Sequence, residues 1–244
     1  MSNYKLITDE KALDNFIDWL PDLRKDNHDN EVFYLCLFAR KKYFKYIISS
    51  SNDKTQLRRE LVKKHSIKRE VKKWECALGT YQLKKDTVPQ EALAVYITPN
   101  PRSMRKAMFN LTKDLVEFMS KENIPHNLHQ NAISAVQRSR SRTEWVDFDI
   151  DTKDVNLTLL KKVLPECTYR VLETRGGYHI LVNPIAATAK LKSLVKHNPS
   201  MQDKGIENWY RNIQKTFDVD QSGDNMIPIP GTFQGNFIPK FIDV

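Results

Sequence analysis

Two hydrophobic periods alternate along this chain, and the switches between them mark its elements. From Asp9 to Leu20 the apolar residues Leu13, Phe16, Ile17 and Leu20 recur at helical spacing, and Pro21 closes the segment. A polar loop from Asp22 to Asn30 leads into Val32 to Phe38, a continuous apolar run of strand length. Ser51 to Ala77 reads as one or two basic helices. Ala92 to Thr98 is a second buried strand, and Pro99-Asn100-Pro101 forces the chain out of it, because a proline holds the residue before it in an extended conformation. Ser103 to Met119 predicts a helix with Met104, Ala107, Met108, Leu111, Leu115 and Phe118 along one stripe. Asn127 to Thr143 predicts a short helix followed by a basic connection.

The second half opens on Trp145 to Asp151, where Val146, Phe148 and Ile150 alternate with Asp147, Asp149 and Asp151 in the two-residue period of a strand. A helix is expected from about Val155 to Val163. Thr168 to Thr174 and Tyr178 to Val182 form an antiparallel pair around Arg175, Gly176 and Gly177, the glycines accepting the positive φ of a tight turn. Helices at about Ala187 to His197 and Ile206 to Phe217 come next. Strand-like Met226 to Ile229, a break at Pro230-Gly231-Thr232, and Asn236 to Ile242 complete the chain. The pattern predicts an α+β fold, with an N-terminal helical and α/β module over 1–143 and a second module over 144–244. No Gly/Ser-rich or Pro-rich linker separates them, so they are expected to form one fused body.

Composition narrows the class. The 244 residues are 40% hydrophobic and 28% charged, with no 18-residue uncharged apolar run, so no membrane span is expected. Met1-Ser-Asn-Tyr-Lys lacks the apolar stretch of a secretory signal, and a cytoplasmic location follows as the expectation. Cys36, Cys76 and Cys167 are scattered without a C-x-x-C pair, which argues against a disulfide framework or a cysteine-built zinc knuckle. The formal charge of +9 is concentrated: Arg40 to Lys73 holds thirteen Lys and Arg against Asp53, Glu60 and Glu70. Such density suits a polyanion bound through its phosphates, or else a solvated basic face.

Three groups of residues carry candidate chemistry. On a strand, Asp147, Asp149 and Asp151 share one face, and like charges at that spacing need a counter-charge. Mg²⁺ or Mn²⁺, which take oxygen ligands, would supply it for Asp147 and Asp149, while Asp151 reads as a cap or turn residue. The glycine turn can offer backbone N–H groups to phosphates beside Arg175, with His179 two residues on, either a donor to a phosphate or a satisfied structural histidine. Asp218, Asp220 and Asp224 form a further acidic cluster, a polar turn if taken alone.

The order of these motifs resembles the archaeo-eukaryotic primase superfamily, above all the primase-polymerase proteins of plasmids, phages and other mobile elements. The family pattern is a hydrophobe-Asp-hydrophobe-acid strand, a small-residue-x-His hairpin, a hydrophobe-Asp strand and often a Pro-Gly-Thr turn. Here these are Val146 to Asp149, Gly177 to His179, Phe217-Asp218 or Val219-Asp220, and Pro230 to Thr232, with 30 residues from Asp149 to His179 and 39 from His179 to Asp218. The resemblance implies that the second module is an RRM-like antiparallel sheet with flanking helices, and that the active site lies between the modules. It implies metal binding by Asp147 and Asp149 with Asp218 as third acid, Asp220 remaining open. His179, Arg175, Gly176 and Gly177 would lie along the triphosphate. Many relatives carry an arginine before the Pro-Gly-Thr turn, where this chain has Ile227, Pro228 and Ile229; Lys240 is the substitute considered.

The activity implied is that of a DNA primase and polymerase, a nucleotidyltransferase acting in DNA replication of a mobile element. It would use Mg²⁺ or Mn²⁺, an NTP or dNTP, and a single-stranded or primed DNA template, with a replicative helicase as a further partner left open. The alternatives are a non-catalytic replication-associated DNA-binding protein, an end-joining polymerase and a metal-dependent nuclease.

Overall fold

The computed structural model describes residues 2–24, 30–44, 53–120, 127–165, 167–197 and 208–244. Lys45 of the basic stretch and Ile206, the start of the last expected helix, lie outside them. The first half runs α1 (Glu10–Trp19), β1 (Glu31–Arg40), β2 (Lys54–Val62), α2 (Ile67–Lys73), the hairpin of β3 (Gln82–Leu83) and β4 (Asp86–Thr87), β5 (Leu93–Ile97), β6 (Arg102–Ser103), α3 (Met104–Met119) and α4 (Leu128–Arg138). The second runs β7 (Val146–Ile150), α5 (Leu160–Val163), β8 (Tyr169–Glu173), β9 (Tyr178–Val182), α6 (Pro184–His197), α7 (Trp209–Thr216), β10 (Gln221–Gly223), β11 (Ile227–Pro228) and β12 (Lys240–Ile242).

The architecture is mixed α+β, built on two five-stranded sheets and a two-stranded hairpin. The first sheet has the order β11-β5-β1-β2, with β6 also paired to β1, and the second has the order β10-β7-β9-β8-β12. Among the described residues every strand pairing is antiparallel, including those of the first half, where a helical and α/β module was expected. The two halves share strands: β11 belongs to the second half in sequence, yet pairs with β5 through Ile227 opposite Ile97.

Ser51 to Ala77 is the main departure from the expected elements. Its first part is not a helix but β2, which lines up against β1 from Val62 opposite Phe33 to Lys54 opposite Arg40. Leu57 and Leu61 stand four apart, a helical spacing, but β1 is buried along almost its whole length and its edge needs a partner. Satisfying that edge outweighs local propensity. Only the second part of the segment, α2, is helical, and it buries Ile67 and Val71.

Two cores hold the body together. One packs the first sheet against α1 and α2: Leu13 and Phe16 of α1 meet Phe33, Leu35, Ile67 and Val71, and Leu172 and Leu181 of the second sheet join them. Asp9 starts α1 by accepting from the Ala12 amide at 2.9 Å, which satisfies a donor that the first helical turn leaves open. The other core lies on the opposite face of the second sheet, where Phe148, Ile150, Val171, Ile180 and Val182 pack under Leu160, Leu191, Trp209 and Ile213. The second sheet is therefore covered on both sides. The alternation of β7 sends Phe148 and Ile150 to the helices and turns Asp147 and Asp149 toward the first sheet.

Helices α3 and α4 pack on each other away from these cores. Of the expected α3 stripe only Ala107 is fully buried, and Met108 is 67% exposed. Among the described residues, no helix is long and apolar enough to cross a membrane.

Candidate functional site

A cavity of about 290 Å³ opens where the ends of the two sheets face each other. Its acidic wall comes from the second sheet: Asp149 and Asp151 at the end of β7, and Asp220 just before β10. Its basic wall comes from the first: Arg40 at the end of β1, Lys42 just after it, and Lys54 at the start of β2. His179, Thr174, Gly176, Asn225 and Gln234 line the space between.

Strand register assembles the acidic wall. Asp149 stands opposite His179 on β9, and on its other side opposite Gln221 on β10, whose neighbour Asp220 donates its amide to the Asp149 carbonyl at 2.9 Å. Asp147 has no exposed surface. Its carboxylate can only accept, so the His179 Nδ1–H donates to it, 3.0 Å from Oδ1 and 3.1 Å from Oδ2, and the Asn225 side-chain amide donates at 3.3 Å. This fixes the imidazole with Nε2 directed at Asp149, 3.6 Å from its Oδ1.

Burial by itself opposes protonation of His179, but the charge and hydrogen bond of Asp147, with Asp149 adding to them, outweigh it and hold the imidazole above its ordinary pKa. Asp149 is also displaced upward, first by burial and then by Asp147 and Asp151, against the pull of His179 and Lys54. His179 and Lys54 supply part of the counter-charge for this carboxylate.

The basic wall is partly committed to the fold. Buried Arg40 donates to Asp53 at 2.8 Å and to the Tyr96 hydroxyl, and lies over the Tyr43 ring. It is a fixed positive charge rather than a mobile arm. Lys42 reaches across the cavity, its Nζ 3.8 Å from Asp151. Lys54 lies 5.6 Å from the centre of the Tyr96 ring.

The glycines of the β8–β9 turn were expected to take a positive φ, which neither of them has; Gly177 is required for a different reason. A Cβ on Gly177 would stand 1.8 Å from the Ile150 carbonyl oxygen and 2.8 Å from the Thr152 nitrogen. The turn thus presses directly on the end of β7, next to Asp149. Two of its amides are already used, Arg175 N–H on Gln234 Oε1 at 2.9 Å and Gly177 N–H on Thr174 Oγ1 at 3.2 Å, so they are not available to phosphate. The Arg175 guanidinium lies over the Tyr43 ring at 4.5 Å, beside the cavity.

Two expected residues stand elsewhere. Asp218 is exposed and does not line the cavity; the pairing of β10 with β7 brings Asp220 there instead. Lys240, on the edge strand β12, pairs with Glu173 at 3.6 Å and is likewise outside the cavity lining. Asp224 binds Arg102 and Asn100. Gly231, at φ 78°, lets the Pro-Gly-Thr turn lie under α1, where its carbonyl accepts from Thr8 and Asp9, both at 2.9 Å. Its role is to seat that helix.

The basic stretch is also largely spent inside the fold. Lys63 donates to the Glu31 carbonyl, Lys64 to the Leu20 carbonyl, Lys68 pairs with Asp14 and Glu10, Lys72 with Glu75, and Lys73 with Glu70. Sequence reasoning did not single out Tyr43, Tyr96, Asn225 or Gln234, and treated Arg40, Lys42 and Lys54 only as charge. The one available signal was that Gln234 follows the Pro-Gly-Thr turn.

The donor set facing the cavity, carboxylate oxygen from Asp149, Asp151 and Asp220, has the chemistry of a Mg²⁺ or Mn²⁺ site. Among the described residues, however, no three acid, His or Cys side chains gather closely enough to hold an ion, and Asp147 is committed to His179 and Asn225. Family models, curated proteins and solved structures were compared with the chain, and none matches.

Proposed function

We propose that the chain is a metal-dependent nucleotidyltransferase of the primase-polymerase kind, with the cavity as its nucleotide site. The observation that carries this reading is the division of the cavity into an acidic and a basic wall, with the His179 imidazole, its pKa raised by Asp147, between them. Arg40, Lys42 and Lys54 form a positive field for a triphosphate, and Asp149 and Asp220 lie where carboxylates would hold divalent cations. The motif resemblance supports the same assignment, and the antiparallel second sheet with helices packed on one face is compatible with it.

In this reading, a primer 3′-hydroxyl attacks the α-phosphorus of the NTP or dNTP and gives up its proton to solvent, the new ester bond forms, and pyrophosphate leaves with the electrons of the broken bond. Divalent ions, when bound, neutralise charge on the phosphates and lower the pKa of the attacking hydroxyl. The chain's own residues position and hold charge. Asp147 orients His179 and favours its protonated form, in which Nε2–H would donate to a phosphate oxygen. Lys42 and Lys54 exchange their intramolecular partners for the triphosphate. The contribution is placement and electrostatics, with no covalent intermediate.

The test is addition of labelled dNTP to a primed template in Mg²⁺ or Mn²⁺, with Asp149→Asn beside the parent. The parent should extend the primer and the variant should not. Burial and two acids already oppose the Asp149 charge, so its folded pKa is raised; ionisation costs stability above the unfolded value, and the variant should melt no lower than the parent at pH 7. Extension by Asp149→Asn at the parent rate would remove the acid from the mechanism. A second reading, a DNA-binding protein without catalysis, is favoured by the commitment of Asp147, one of the two expected metal acids, to His179 and Asn225. It predicts DNA binding with no incorporation in either metal.

A further inference from the structure

The groove where α3 meets the end of α4 carries an exposed aromatic ring and four cations, of which Lys106 also donates to the Arg140 and Ser141 carbonyls at 3.2 and 3.0 Å. Phe109 is 72% exposed although it lies in a protein with two well-filled cores. Arg105 and Lys106 flank it on α3, and Arg138 and Arg140 face it from the end of α4 and the residues just beyond, around a space of about 430 Å³. Acidic compensation is slight: Arg138 pairs with Asp114 at 2.7 Å and is still 62% exposed, and Arg140 stands 3.9 Å from Asp224. The floor is rigid, because Asn110 donates to Ser139 at 3.0 Å and Arg102 forms a β-bridge with Arg140.

The groove also adjoins the cavity. Asp224, which Arg102 and Arg140 share, is followed by Asn225, which lines the cavity and donates to Asp147. Arg140 is thus linked to the cavity lining through Asp224 and Asn225. Arginines in a groove attract a backbone of phosphates, and an exposed ring offers a surface on which a base of any identity stacks.

We propose that this groove seats single-stranded nucleic acid, with Phe109 stacking on one base and Arg105, Arg138 and Arg140 contacting phosphates. The occupant named as template rests on the nucleotidyltransferase reading above; the binding itself does not. An apolar protein partner for the neighbouring Met108 and Val116 is the competing occupant, but four cations around the ring favour a polyanion.

The experiment is fluorescence anisotropy with a labelled oligothymidine of twelve nucleotides, without nucleotide or metal, at several salt concentrations. Phe109→Ala should weaken binding roughly 5- to 150-fold, the range of one base–aromatic stack, while Phe109→Trp keeps it. Arg105→Ala should flatten the log-log salt dependence by about 0.7, one phosphate on a single strand. Circular dichroism melts of these surface variants should match the parent. Parent affinity below detection at 50 mM salt, or Phe109→Ala binding as the parent does, overturns the proposal, and parent self-association relieved by Phe109→Ala assigns the face to protein instead. Primer extension separates the two readings. If the parent extends primers while Phe109→Ala binds the oligonucleotide normally, only the groove proposal falls. If the parent never incorporates nucleotide while Phe109→Ala loses binding, only the nucleotidyltransferase reading falls.

Discussion

Changing Gly177 to alanine places a methyl group inside the backbone of the neighbouring strand. The new Cβ stands 1.8 Å from the Ile150 carbonyl oxygen, and ordinary contact begins at 3.4 Å, so about 1.6 Å of separation must be gained. The obstructing atoms are main chain, Ile150 and Thr152, and no rotamer change relieves them. Overpacking typically costs about 1–3 kcal/mol, and a backbone-on-backbone conflict belongs at the upper end. For a chain of this length each kcal/mol lowers the melting temperature by roughly 2–4 °C, so a fall of about 6–12 °C is expected. The displaced strand end carries Asp149, and a shift on the order of 1 Å costs about 100-fold in rate where groups must be aligned. Gly176 supplies the internal control, since a Cβ there meets only Asp151 Oδ1 at 3.9 Å. Gly176→Ala should melt within about 0.5 kcal/mol of the parent. Thermal denaturation followed by far-ultraviolet circular dichroism, with primer extension on the same preparations, measures both. Equal melting temperatures for Gly177→Ala and the parent, or equal damage from the two alanines, would refute the close-approach argument.

Because His179 is raised above its unfolded value, its stabilising contribution is complete below about pH 6.5 and fades as pH climbs through the folded value. Denaturant unfolding of the parent and His179→Gln in EDTA should show a gap that narrows from pH 5.5 to 9; a constant gap contradicts the Asp147 pairing as its source. Asp220→Asn should abolish incorporation and Asp218→Asn should leave it near the parent level, and the reverse ranking in a steady-state assay would return the third acid to Asp218. Lys64→Met removes a charged donor from the Leu20 carbonyl at the end of α1 and should cost on the order of 1.5–3 kcal/mol in urea unfolding without altering oligonucleotide affinity. Unchanged stability with weaker DNA binding would mean that Lys64 faces nucleic acid.

The sequence made some of this architecture legible and concealed the rest for physical reasons. Strand β7 and the β8–β9 pair carry a strong two-residue period whose cause is local, with one face packed on helices and the other turned to the first sheet. β2 was concealed because it is an edge strand, polar on its open side, and its identity depends on the unpaired edge of β1. The acidic half of the cavity was visible as Asp149 and His179, but what Asp147 does depends on register: it lies beneath the imidazole, out of reach of solvent. The choice between Asp218 and Asp220 is likewise set by where β10 meets β7, across some seventy residues of sequence. The basic wall was hidden in a charge run, because nothing local separates Arg40, Lys42 and Lys54 from lysines that cap α1 or pair along α2. The two glycines were foreseen as a turn, but for their dihedral angles rather than their lack of a side chain.

The return of β11 to the first sheet bears on how such a chain is made. Ile227 pairs with Ile97 and Thr232 bridges to Ile7, so Ile97 and Ile7 find these neighbours only after Ile227 and Thr232 have been synthesised. Until then β5 has an open edge, and a nascent first half is a template for the wrong strand, its own or a neighbour's. Closing loops of this span makes assembly slow relative to helix formation. Once closed, the same pairing binds the fates of the two halves, so that loss of the second sheet's packing removes a strand from the first, and unfolding proceeds as one event.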